Sequence, residues 1–255
     1  MTALQSAAIE PTPHLAARHV ERSSLTSTQR SAMYELLCDH FEGVTRAVFE
    51  TDLAEKDWVV LLEDATARLR GFSTFCMYTE QTPEGSPTTI VYSGDTIVDR
   101  SAWGTPTLPR SWIHAVYKVH ATHFPGTKLF WLLITSGFRT YRFLPVFWRS
   151  FYPRFDEPTP AETQNWLQQI ATNRFGQTYN PATGIVRLPS PQRLRGELRV
   201  VPIEKQADPH VAFFIASNPG HVDGDELVCL ADLSREHLTP AGRRMVYGPA
   251  ARKEA

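Results

Sequence analysis

The residues best equipped for chemistry lie between Val98 and Val116, in the stretch VDRSAWGTPTLPRSWIHAV. Arg100 and Arg110 bracket a turn that holds Trp103, Gly104 and Thr105, and Pro109 then opens a run of helical period. A helix N-terminus carries unpaired N–H groups and about half a positive charge, so a phosphate placed there is stabilised. Gly104 lets the backbone present successive N–H groups, and each arginine can add charge-assisted hydrogen bonds to an anion. Pro106 and Pro109 remove two donors from the same turn. Taken alone, the stretch fits a plain strand-to-helix connector as well as an anion cradle.

Other groupings offer less. His114, His120 and His123 share one predicted helix. The last two can meet on one face, but no third ligand follows at a suitable spacing, so no metal site is expected. Asn218 to Glu226, NPGHVDGDE, gathers turn formers, one imidazole and three carboxylates without the regular spacing of a calcium loop. It is expected as a hairpin turn between two strands. As a lip of an acceptor site it would instead bind a cationic amine, with His221 as base. Cys38, Cys76 and Cys229 lie far apart in apolar contexts, which suits a reducing compartment and argues against a thiol nucleophile. GxSxG, Walker, GxGxxG and HExxH patterns are absent from the sequence.

The elements that must position these residues are legible from periodicity. Thr26 and Gln29 have capping-box spacing, and Met33, Leu36, Leu37, Phe41 and Val44 follow at helical period, predicting a first helix. Residues 44–57 continue the helical character. Short strands are predicted at 58–64 and within 65–78, then a β-rich run at 88–100 whose internal Gly94 suggests a bulge. After the helix from Pro109, KLFWLLITS (128–136) reads as a strand buried on both faces. Residues 138–155 are expected to be helical on both sides of Pro145. Thr159 and Glu162 have capping-box spacing ahead of another helix, 160–174. Residues 180–210 read as loop, and 211–233 as two late strands. The expected organisation is a polar N-terminal extension (1–25), one domain (26–235, core 28–155) and a C-terminal tail (236–255). The expected fold is α/β, a mixed, mostly antiparallel central sheet flanked by helices.

This order of elements resembles the GNAT superfamily of N-acyltransferases over roughly residues 28–155. LRGFSTF (69–75) looks like that family's third strand. TIVDRSAWGTP (96–106) sits where the family keeps its acyl-CoA pyrophosphate loop, and LFWLLITS precedes an aromatic run ending in FYPRF. The resemblance implies two parallel central strands that splay apart, here 88–99 and 128–136, with free backbone groups of the earlier one pairing with pantetheine. It implies acyl transfer from a thioester to an amine acceptor, a small molecule, by direct attack. Arg100, Trp103, Gly104, Thr105 and Arg110 would position the donor. Three residues, not two, separate Arg100 from Gly104, and Thr105-Pro106 replaces a second small residue. That departure leaves the donor open between acyl-CoA and an acyl carrier protein, whose phosphopantetheine arm lacks the nucleotide.

The reaction needs a base for the amine proton, and Asp95 and His114 are the candidates near the strand. By the resemblance, Tyr141 and Tyr152 are candidate acids for the departing thiolate. Between Lys128 and Phe155 stand ten aromatic and five basic residues without an acid. These read either as a core strand and amphipathic helix, or as a greasy groove with a cationic rim. The groove would suit a long acyl chain or peripheral membrane contact. A non-catalytic acyl- or lipid-binding module of the same fold is the alternative function. The 255 residues are 42% hydrophobic with a net charge of −1, which argues against a nucleic-acid partner. With neither a signal peptide nor an apolar run of about 18 residues in the sequence, the expected location is the cytoplasm.

Overall fold

The computed structural model describes residues 14–248. The first part of the expected N-terminal extension and the last part of the expected tail lie outside the described residues. What remains of both belongs to the fold. Leu15–Glu21 is an edge strand, β1, paired antiparallel along its whole length with the strand Trp58–Asp64. Its apolar alternation is short and broken by Arg18 and Glu21, which is why it reads as polar chain. Near the other end, Pro240–Tyr247 forms helix α9, which buries Met245 and Val246.

The first helix, α1 (Ser27–His40), has the predicted capping box: Thr26 and Gln29 exchange side-chain and backbone hydrogen bonds. A two-residue strand β2 (Phe41–Glu42) and helix α2 (Arg46–Ala54) follow. Strands β3 (Trp58–Asp64), β4 (Leu69–Gln81) and β5 (Pro87–Val98) then form an antiparallel meander. Helix α3 (Thr107–His123) crosses over to β6 (Lys128–Thr135), which lies parallel to β5. Proline at 109 is the third helical residue, not the first, because Pro106 takes the capping position.

Beyond β6 the chain departs from expectation. Phe138–Tyr141 (α4) and Phe143–Phe147 (α5) are short helices, and Pro145 lies inside the second. Phe151–Tyr152 is a strand, β7, because the chain there pairs with Leu230 and Ala231 of a later strand. Helix α6 (Ala161–Phe175) forms, but Pro160 occupies its N-cap and no side chain caps it. The loop-like region holds β8 (Tyr179–Asn180), β9 (Ile185–Val186), β10 (Arg193–Leu194) and α7 (Ile203–Gln206). HVAFFIASN, expected as a strand, is helix α8 (Pro209–Ser217). Asp208 caps it and Pro209 opens it, and these local signals prevail over β propensity. Only β11 (Glu226–Asp232) remains of the two late strands.

The sheet order is β1-β3-β4-β5-β6-β11-β9-β8, with β7 also on β11. This is a mixed, mostly antiparallel α/β sheet with helices on both faces. On one face Val60, Phe75, Val91 and Trp131 pack with residues of α3, α4, α8 and α9. On the other, Leu61, Phe72 and Ile97 pack under α1 and α2, and Ile90, Tyr92, Leu132 and Leu230 under α6. No helix among the described residues is long and apolar enough to cross a membrane.

Candidate active site

The central parallel pair separates. β5 and β6 are in register from Thr88 opposite Lys128 to Tyr92 opposite Leu132, and no further pair follows. β5 nevertheless runs on to Val98 and β6 to Thr135. At the fork the Trp131 indole donates to Ser93 Oγ at 2.9 Å. On its other edge β6 pairs with β11, from Leu227 opposite Thr135 to Asp232 opposite Phe130. Past the fork, the edge of β5 facing β6 keeps backbone groups free of sheet partners. This is the splayed arrangement that the GNAT resemblance implies.

A bulge sits on β5 just past the fork. Ser93 faces Phe75 and Thr96 faces Ser73, so Gly94 and Asp95 together stand opposite Thr74 alone. The extra residue explains the glycine. A β-carbon at position 94 would overlap the stem of Lys56 and lie 2.5 Å from Thr74 Oγ1. Asp95 lies two residues before Ile97, on the α1–α2 face.

On that face is a concentration of charge. The Lys56 side chain is fully buried, and its ammonium donates to Asp52 Oδ1 at 2.6 Å and to the Asp52 carbonyl at 3.1 Å. The Tyr92 ring lies between Lys56 Nζ, 5.2 Å from its centre, and the Arg174 guanidinium, 4.6 Å away. Arg174 is held by Glu55 at 2.7 Å. Burial, then the Asp52 charge, raises the Asp95 carboxyl to about 7, while Lys56 opposes the rise. Glu226, at the head of β11, is raised to about 8 by burial and by the charges of Asp95 and Asp52. A carboxylate titrating near 7 suits a general base. Thr74, only 2% exposed, has an Oγ1 without a hydrogen-bond partner among the described residues.

Asp95 therefore stands at the split, and the other predicted base does not join it. His114 lies on α3, across the sheet, with Nε2 2.8 Å from the Val246 carbonyl. Neither tyrosine lines the fork. Tyr141 is fully buried, packs against Phe151, Phe213 and Phe214, and donates to the Pro153 carbonyl at 3.0 Å. Burial and the neighbouring Cys229 hold its proton far more tightly than usual. Tyr152 pairs with Leu230, opposite Leu132 and Tyr92, so it stands three strands from β5, about 14 Å at ordinary strand spacing. Its hydroxyl donates to Glu157 Oε1 at 2.9 Å. Tyr152 lies there because the chain turns back as β7 beside β11 rather than continuing as a helix, and Tyr141 because α4 packs it into the core.

The loop after β5 forms the other end of the split. Its amides are largely occupied: Asp99 accepts from Ser101 N at 2.8 Å, Ala102 N donates to the Asp99 carbonyl and Trp103 N to the Arg100 carbonyl. Gly104 takes φ +83°, in the left-handed region. Thr105 Oγ1 donates to the Ala102 carbonyl at 3.2 Å. The backbone is thus a poor phosphate nest, and side chains carry the positive charge. Trp103 is 44% exposed, its indole donates to the Val98 carbonyl at 2.8 Å, and the guanidiniums of Arg100 and Arg139 lie 5.7 and 5.6 Å from its ring. The pKa of Arg139 is lowered, by burial first and by Arg100 second. Beside it, Phe138, Arg139, Arg142, Pro202 and Lys205 line a depression of about 240 Å³. Arg110, in the first turns of α3, keeps a buried Nε without a partner among the described residues.

The remaining groupings resolve structurally. His120 Nε2 meets Thr127 Oγ1 at 3.0 Å, and the His123 ring packs on Trp58. Among the described residues no three His, Cys, Asp or Glu converge as metal ligands. NPGHVDGDE joins a helix to a strand, and buried Asn218 anchors it by donating to the Asp225 carbonyl at 2.8 Å. Of the aromatic run, Trp131, Phe138, Tyr141, Trp148 and Phe151 fill the core, so it does not form a groove.

No known family and no curated protein matches this sequence. Solved structures are similar over about half of the chain. The GNAT family N-acetyltransferase YhbS from Escherichia coli, in complex with CoA, is 15% identical with a TM-score of 0.38, covering 52% of this chain and 69% of that one. A conserved protein from Enterococcus faecalis described as a probable N-acyltransferase is 12% identical, TM-score 0.39, covering 53% of this chain and 33% of that one. The glucosamine-6-phosphate N-acetyltransferase of Arabidopsis thaliana is 16% identical, TM-score 0.33, covering 46% and 80%. This chain thus spans a third of the Enterococcus protein.

Proposed function

We propose that the protein is an N-acyltransferase that moves an acyl group from a thioester donor, acyl-CoA or an acyl carrier protein, to an amine. The observation that carries this reading is the split between β5 and β6 with Asp95 on its bulge. The free edge of β5 past Tyr92 offers hydrogen bonds to an extended pantetheine arm, as a further strand would make. At the other end Arg100 and Arg139 across Trp103, with Arg142 and Lys205 lining the depression beside them, supply positive charge for the donor's phosphate.

The amine nitrogen attacks the thioester carbonyl, forming the C–N bond, and the collapsing intermediate expels the thiolate as the C–S bond breaks. Asp95, raised to about 7, accepts the proton that frees the nitrogen lone pair. The second proton lost by nitrogen ends on the thiolate. His114, Tyr141 and Tyr152 have no role in these steps, because none of them lines the split.

Thiol release tests the reading. The purified protein is incubated with acyl-CoA donors of several chain lengths and an amine mixture, and free thiol and amide are measured. Amine-dependent thiol release with matching amide is expected. A thioester that stays intact, or is cleaved equally without amine, overturns it.

A further inference from the structure

On the acyltransfer reading, we propose that Ser93 is a catalytic residue whose hydroxyl donates to the thioester carbonyl oxygen and stabilises the oxyanion formed on attack. β5 and β6 pair as far as Tyr92 opposite Leu132, and Ser93 is the first β5 residue past the fork. It is 5% exposed, and its Oγ accepts the Trp131 indole N–H at 2.9 Å. A hydroxyl also carries a proton to donate, and that of Ser93 has no acceptor among the described residues. Buried hydroxyls ordinarily spend that proton, so one left over at the base of the split calls for an acceptor that enters it.

The bond from Trp131 sets where that proton points. The indole is buried between Trp112 and Trp148, with ring centres 4.7 and 5.6 Å away, so it has little freedom to turn. It takes one lone pair of Ser93, directs the O–H away from itself and strengthens it as a donor. Trp131 is thus a positioning residue. Val91 and Trp131 share the α3 face, and Ser93 follows Val91 by two residues onto the same face. Asp95, past the bulge, is on the α1–α2 face. The two side chains therefore flank the split from opposite faces, one for the amine proton and one for the carbonyl oxygen. The neighbouring hydroxyls are engaged: Thr96 with Ser73 at 2.7 Å, and Thr135 Oγ1 as donor to the Gly137 carbonyl at 3.0 Å.

The order of atoms in the donor brings its carbonyl to the fork. With the phosphate by Arg100 and Arg139 and the arm along the free edge of β5, the sulfur and then the carbonyl come last, at the Ser93 end. As the C–N bond forms, the π pair of the carbonyl moves onto oxygen, where Ser93 donates its hydrogen bond and keeps its proton. The C=O bond re-forms as the C–S bond breaks, and the electron pair leaves on sulfur. One nitrogen proton goes to Asp95 and then to water, and the other ends on sulfur, giving amide and thiol.

The test uses the full chain and whichever donor, acyl-CoA or acyl carrier protein, releases thiol, isotope-labelled at the thioester carbonyl. Without amine, infrared difference spectra should show the bound carbonyl band below its frequency in the free donor, and Ser93→Ala should abolish that shift. With amine, Ser93→Ala should lower kcat about a hundredfold at nearly constant donor KM. Ser93→Thr, which keeps the hydroxyl, should recover most of the loss, and the pH midpoint should be the same in all three proteins. Trp131→Phe, which frees the hydroxyl to turn, should shrink the band shift; an unchanged shift removes the indole from positioning it. An unshifted band in the wild type, a shift that survives in Ser93→Ala, or an unchanged kcat in that variant overturns the role of Ser93 and leaves acyl transfer standing. No amine-dependent thiol release from either donor overturns acyl transfer itself, and the role of Ser93 with it.

Discussion

Lys56 lies directly over Gly94, so the buried ammonium and the β5 bulge occupy space that a single β-carbon would take. The lysine is fully buried and tied to Asp52, so its stem has little freedom to retreat. Gly94→Ala must push the lysine, Thr74 or the bulge aside. Overpacking of this kind costs about 1–3 kcal/mol. Denaturant unfolding should show that loss, and acyl transfer should fall further than stability, since the displaced strand carries Asp95. A variant as stable and active as the parent would contradict the packing described.

The pH dependence of turnover follows from Asp95. A base must be unprotonated, so kcat/KM should rise with pH through a midpoint near 7. The groups facing it are Asp52 and Lys56 from the α2 side and Glu226 from β11, with Tyr92 and Arg174 behind Lys56. Lys56 favours the charged carboxylate. Lys56→Met should therefore move the midpoint to higher pH, because a stabilising cation is lost. A midpoint that stays in place would remove Asp95 from the role of base.

Stability should move the opposite way. Asp95 and Glu226 titrate near 7 and 8 in the folded protein but near 4 when unfolded. Between about pH 4 and 8 the folded state therefore binds more protons than the unfolded state, and its stability falls as pH rises through that window. Above about 8 both groups are ionised in both states and the loss is complete. Tm measured from pH 5 to 8 should decline, and Asp95→Asn should flatten the decline. An unchanged slope in that variant would mean that Asp95 titrates normally.

How much of this was legible in the sequence differs from residue to residue. The capping box at Thr26, the Gly94 bulge, the crossover helix and the apolar strand read at 128–136 rest on local patterns, and each formed, the helix opening at Thr107 rather than Pro109 and the strand ending at Thr135. Residues 210–218 misled because FFIAS suits either element, and the Asp208 cap with Pro209 decided for a helix. Asp95 was readable as a polar residue beside a bulge. Its neighbours were not: Asp52 and Lys56 stand at the end of α2 and in the turn after it, Glu226 heads β11, and only the fold brings both places to β5. Arg139 was likewise hidden, since its approach to Trp103 depends on β6 leading back to the loop after β5.

The Trp103–Arg139 contact can be tested on the donor side. If the stacked arginines receive the donor's phosphate, Arg139→Ala should raise the donor KM about tenfold while kcat changes little. Comparison of CoA with a pantetheine thioester lacking phosphate should reproduce most of that difference in the wild type. A fall in kcat at constant KM would instead give Arg139 a part in the transfer step.

Tyr141 separates a structural from a chemical tyrosine. Its hydroxyl is the hydrogen-bond donor to the Pro153 carbonyl, within an aromatic cluster on the face opposite Asp95. Tyr141→Phe keeps the ring and leaves that carbonyl without its donor, at a cost of about 1–3 kcal/mol. Chemical denaturation should register the cost, while kcat and its pH profile should match the parent protein at temperatures where both are folded. An acid that protonates the leaving thiolate would behave otherwise: its loss would lower kcat by about a hundredfold or more and remove any basic limb from the profile. The buried hydroxyl is committed to holding β7 against α4, so the first pattern is the one expected.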